Sequence, residues 1–111
     1  MKLITKAIEK KMPKLYEQDG KGYDAEVHVK LFDAFGGSTW FLTEYDPKTK
    51  TAFGWCCLNG DTQFAELGYV DLPELEAVMF CGMTPRIERD RYFSKSTLRE
   101  AIKAFCGKVV A

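Results

Sequence analysis

The chain has no Cys-x-x-Cys pair; its cysteines stand at positions 56, 57, 81 and 106. The paired spacing on which zinc ribbons and thiol redox sites are built is therefore missing. No apolar run approaches the roughly 20 residues needed to cross a bilayer. Charge interrupts Met1-Lys2-Leu3-Ile4-Thr5-Lys6 before an apolar run reaches signal-peptide length. A cytoplasmic protein with reduced cysteines is expected. Repeats, low-complexity tracts and linker-like segments are absent, so the 111 residues are read as one domain, 1–111. Bulk charge of one sign is absent as well, because sixteen Lys and Arg balance sixteen Asp and Glu, and no overall charge advertises nucleic acid or membrane. A hydrophobic content of 46% argues against disorder.

A more local absence is informative. From Asn59 to Phe80 there is no Lys or Arg, while Asp61, Glu66, Asp71, Glu74 and Glu76 carry negative charge. Residues 1–14 hold Lys2, Lys6, Lys10, Lys11 and Lys14 against Glu9 alone, and residues 86–108 hold seven basic residues against three acidic ones. The chain is dipolar along its length, which can orient a docking partner without making the protein basic.

The hydrophobic pattern predicts an α+β domain. Ile4, Ile8 and Met12 form one face of a short helix that Pro13 ends. From Ala25 the period changes to two, with Val27, Val29 and Leu31 alternating with Glu26, His28 and Lys30. Gly36-Gly37 supplies a hairpin turn. A second strand over 39–46 places Trp40 and Leu42 on one face and Phe41, Thr43 and Tyr45 on the other. Asp46-Pro47-Lys48 turns into a third strand over 51–58, and Asn59-Gly60-Asp61 into a fourth over 63–70. A helix follows, with Asp71 and Glu74 at capping-box spacing and Leu72, Leu75, Val78 and Met79 as its buried stripe. Residues 86–93 read as a short extended segment. Thr97 and Glu100 cap a last helix with Leu98, Ile102 and Phe105 on one face and Gly107 as its stop. Short connections imply a four-stranded antiparallel meander, with the N-terminal, middle and C-terminal helices packed on one face. The aromatics Phe41, Tyr45, Phe53 and Trp55 would flank a partly open second face.

Several stretches together resemble the bacterial family known as domain of unknown function 2958. They are Leu3-Ile4-Thr5-Lys6, Pro13-Lys14-Leu15-Tyr16, Val27 to Phe32, Trp40 to Asp46, Phe53-Gly54, Glu66-Leu67-Gly68-Tyr69, Leu72 to Glu76 and Ile87 to Phe93. The likeness runs in order over nearly the whole chain; Cys56-Cys57 departs from it and the tail after Phe93 follows it loosely. The family has no established activity or catalytic residues to carry over. The resemblance implies cargo of plasmids, phages and integrative elements, encoded near genes that blunt host defence. It thus implies a small protein that binds a nuclease, a CRISPR effector or DNA.

Chemistry concentrates in Pro85 to Phe93, where three arginines, two carboxylates and two aromatics stand together. Glu88 and Asp90, two apart on a strand, share a face and would suit Mg²⁺ in a nuclease with Lys95 nearby. The structural alternative is that they neutralise Arg86, Arg89 and Arg91. His28, one of the Cys56-Cys57 pair, Cys81 and Cys106 are weak candidates for a zinc site, with buried inert thiols as the plainer reading. Lys6, Lys10 and Lys14 recur every four residues and would face phosphates, or simply solvent. Asp61, Glu66 and Glu76 form an acidic surface suited to the DNA-binding groove of a nuclease, or an ordinary solvated face.

The leading expectation is a non-enzymatic interaction protein that inhibits a host defence complex, with a CRISPR effector or restriction nuclease as partner. Glu88, Arg89, Asp90, Arg91 and Tyr92 would make the contact, and no cofactor is implied. The alternative is a nucleic-acid-binding protein using Lys6, Lys10, Lys14 and Arg86. A Mg²⁺-dependent nuclease is the third reading.

Overall fold

Trp40 and Phe41 are consecutive and both buried, yet they pack into different cores. Successive side chains on a strand point to opposite faces, so this strand must belong to a sheet covered on both sides. The computed structural model, which describes residues 3–107, contains that sheet. In chain order the elements are α1 (Lys6–Lys11), a 3₁₀ turn (Gly22–Asp24), β1 (Glu26–Val27), β2 (Val29–Asp33) and β3 (Thr39–Asp46). They continue with β4 (Thr51–Cys57), β5 (Glu66–Asp71), α2 (Leu72–Ala77), β6 (Met79–Phe80), β7 (Thr84–Pro85), β8 (Ile87–Arg89), β9 (Ser96–Thr97) and α3 (Leu98–Cys106). The main sheet is antiparallel in the order β5-β4-β3-β2-β8; β1 pairs with β9, and β6 with β7.

The α+β class and the meander from β2 to β5 match the sequence pattern, and the extended 86–93 segment adds β8 as a fifth strand beside β2. The helices do not share one face. Ile8 of α1 and Leu72 and Leu75 of α2 join Trp40, Leu42 and Tyr45. Leu98, Ala101 and Ile102 of α3 join Phe41 and Trp55 on the opposite side. The reason is the size of the aromatics: a Phe and a Trp together bury several hundred Å² when covered, and α3 covers them. Phe41 is 1% and Trp55 2% exposed, so the partly open aromatic face is also corrected.

Two local irregularities change which side chains share a side. The strand anticipated from Ala25 onward breaks at His28, whose N–H donates to the Leu42 carbonyl at 2.9 Å. Val27 then faces the α3 core and Val29 the other, although they are two residues apart. A register shift between Leu42 and Glu44 inserts a bulge at Thr43. An extra residue reverses the alternation, and Tyr45 therefore lies with Trp40 rather than with Phe41.

The caps follow the sequence closely. Thr5 accepts from the Ile8 N–H, Thr97 and Glu100 cap each other reciprocally, and Gly107 ends α3 at φ 73°. At α2, Asp71 accepts from the Glu74 N–H. That helix stops at Ala77, so Val78 and Met79 are exposed rather than part of a buried stripe. Lys2 and Lys108, counted in the charge layout, lie outside the described residues.

Candidate protein-binding site

The charged stretch at 86–92 does not close on itself. Arg86 Nε lies 2.9 Å from both carboxylate oxygens of Asp33 on β2. Arg89 Nη1 donates to the Leu3 carbonyl at 2.8 Å. Asp90 sits 3.7 Å from Lys30 Nζ and accepts the Tyr92 N–H at 2.9 Å, while its own N–H bonds to the Lys30 carbonyl. Among the described residues, no ion pair joins two members of the stretch. Burial alone would raise the Asp33 pKa; the Arg86 hydrogen bond and the N–H groups of Phe35 and Gly36 outweigh it and hold the carboxyl below its ordinary value.

What projects outward is the corner beyond β8. Arg91 is exposed and Tyr92 is 95% exposed. The Asp90 side chain closes the turn that carries them, fixing the backbone under both. Beside the corner a cleft of about 430 Å³ opens over Phe41, Phe93 and Phe105, with Lys30, Asp90 and Tyr92 at its rim. Glu88 is half-buried and stands opposite Phe32 in the ladder.

The other sequence-predicted groups disperse. Lys6 and Lys10 are exposed on α1, but Lys14 lies past the extended Met12 and Pro13, off the helical row. Arg86 is engaged with Asp33, and Lys95 pairs with Glu26 at 3.1 Å instead of approaching Glu88 and Asp90. Asp61 and Glu66 are exposed, whereas Glu76 accepts the Leu3 N–H at 2.8 Å and ties the N-terminal segment to α2.

The four cysteines are free, and among the described residues no three His, Cys, Asp or Glu side chains converge as metal ligands. His28, Cys56, Cys81 and Cys106 are therefore not brought together. Burial, and then the nearby Lys95, lower the His28 pKa. Burial, with Glu66 adding, pushes the Cys56 thiol up to about 11, so it stays protonated.

One polar group escaped the sequence reading. Glu44 is 5% exposed, and its carboxylate accepts the N–H groups of Tyr16 at 2.9 Å and Gln18 at 2.7 Å. The Gln18 amide, also buried, bonds in turn to the Thr43 and Glu26 carbonyls and accepts the Glu26 N–H. This network clamps residues 13–21 onto β3, where Tyr45 N–H also meets the Pro13 carbonyl. The available signal was a lone carboxylate inside the apolar run Trp40–Tyr45.

A family model described as protein of unknown function (DUF2958) matches residues 3–104. The chain belongs to that family. The DUF2958 match extends past Phe93 through most of α3, and it takes in both the Arg91–Tyr92 corner and the Glu44 clamp. Searches of the curated proteins and of the solved structures gave no significant match.

Proposed function

We propose that this protein is a small non-enzymatic binding protein that inhibits a host defence complex, a CRISPR effector or a restriction nuclease, by direct contact. The observation that carries the binding part is the corner at residues 90–92. A fully displayed tyrosine beside an exposed arginine, on a turn locked by Asp90, fits the residue types that dominate interface hot spots. The adjoining aromatic-floored cleft offers a place for a partner side chain. The inhibitory role rests on the likeness of the family to mobile-element cargo.

Nuclease assays with purified effectors test this reading. Addition of the protein is expected to suppress cleavage and to co-elute with its target. Tyr92→Ala together with Arg91→Glu should abolish both effects with an unchanged melting temperature. Undiminished inhibition by that variant would remove the corner from the interface. Retention on DNA that weakens steeply with salt would favour the nucleic-acid reading instead.

A further inference from the structure

The sheet ends at β5, which bonds to β4 on one side and, among the described residues, to no strand on the other. Leu72 N–H donates to the Lys50 carbonyl, in register with the β4–β5 ladder. Ladder bonds alternate along an antiparallel pair, so Glu66, Gly68 and Val70 bond inward while Leu67 and Tyr69 aim their main-chain groups outward. Among the described residues, no loop bonds to the outward N–H groups of Leu67 or Tyr69.

Beside this edge runs a groove of about 410 Å³ with Trp40, Cys56 and Val70 beneath it and Leu75 and Val78 of the α2 end along its wall. A Cβ built on Gly68 would meet nothing within 4 Å, so the groove floor is open there. Glu66, Asp71 and Glu74 line the same groove, in a stretch from Asn59 to Phe80 that holds no Lys or Arg. An exposed edge strand is a template for pairing with another chain. The charge decides which chain. A second copy pairing through its own β5 would set these same acids against each other, and like charges across a ladder are destabilising.

We propose that the β5 edge and its groove bind an extended, Lys- or Arg-rich segment of a partner protein, which adds to the sheet as a sixth strand. Main-chain bonds to Leu67 and Tyr69 hold the segment, apolar side chains enter the groove over Gly68, and cations fall among Glu66, Asp71 and Glu74. This surface is at the opposite end of the sheet from the Arg91–Tyr92 corner and stands or falls separately from it.

The test uses the full chain, isotope-labelled, with a short extended peptide as the probe, whose lysine, valine and lysine side chains stand at every second position and so share one strand face. The peptide is expected to shift the Leu67 and Tyr69 amides and slow their hydrogen exchange, while a valine–glutamate peptide leaves both unchanged. Gly68→Phe should fill the groove and weaken binding by at least about tenfold, with the rest of the spectrum intact. Glu66→Lys with Glu74→Lys should reverse the peptide preference. Equal response to both peptides, or amides that stay unmoved, overturns the proposal. So does exchange protection in peptide-free protein that grows with protein concentration, which would make the occupant a second copy.

Discussion

The two ends of the main sheet differ in how they treat their outermost strand. At one end β8 is three residues long, and three of the charges in and beside it are occupied: Arg86 holds Asp33, Arg89 holds the Leu3 carbonyl and Asp90 holds Lys30. At the other end β5 is six residues long, its acids have no cation in the stretch 59–80, and among the described residues no loop hydrogen-bonds to the outward N–H groups of Leu67 or Tyr69. Short strands and charged side chains are the usual means of protecting an edge. At β8 the strand is short and its neighbouring charges are of both signs, whereas β5 is twice as long and carries only the negative charges of Glu66 and Asp71, so the two ends protect their edges differently. The displayed groups divide the same way: the β8 end presents a side-chain corner, and the β5 end presents main chain.

Four substitutions probe this contrast, in descending order of effect. Gly54 lies on β4 between the two ends, where an added Cβ would collide with the Phe41 carbonyl and the Leu42 backbone. Backbone cannot yield there, so Gly54→Ala should cost at least about 4 kcal/mol and erase cooperative unfolding in a thermal melt, both ends together. Glu44→Ala leaves the N–H groups of Tyr16 and Gln18 without their acceptor. A loss of about 3 kcal/mol is expected, with exchange rising first over residues 13–21 and later at either edge. Simultaneous loss everywhere would show that the clamp holds the whole sheet.

The two smallest changes separate the ends most sharply. Arg86→Ala removes a partly exposed pair and should cost about 1 kcal/mol, loosening amides around Ile87. Glu66→Ala at the opposite edge should stay within about 0.5 kcal/mol. The pH dependence has a definite sign. Because folding lowers the Asp33 pKa, its contribution is complete above the ordinary carboxylate value near ~3.9 and is lost as pH falls through the lower folded value. Acid melts should show this loss in the wild type and a weaker one in Arg86→Ala. An equal loss would assign the acid sensitivity elsewhere.

Much of this architecture was legible from local pattern. The period-two runs located β3 and β4, and Thr97 with Glu100 and Gly107 marked both ends of α3, because caps and turns depend on neighbours within a few residues. The face assignments were not legible. Tyr45 changed sides through a one-residue bulge, and Val27 and Val29 separated through a break at His28, neither of which alters composition or period. The candidate site shows the same split. Arg91 and Tyr92 stood out as residue types, but the engagement of Arg86, Arg89 and Glu76 depended on Asp33 and Leu3, more than fifty residues distant in the chain. Glu44 was overlooked because the N–H groups that satisfy it lie far upstream, at Tyr16 and Gln18.

By itself the sequence determined that this chain makes short helices and an antiparallel meander, since periodicity, caps and turn residues act locally. It also determined that positive charge is excluded from residues 59–80. Only the tertiary structure decided that α3 crosses to the far face, which charges are consumed in holding segments together, and which strand is left at the edge. Those outcomes are set by pairings between distant segments, where burial of Phe41 and Trp55 and the satisfaction of Glu44 compete over the whole chain at once.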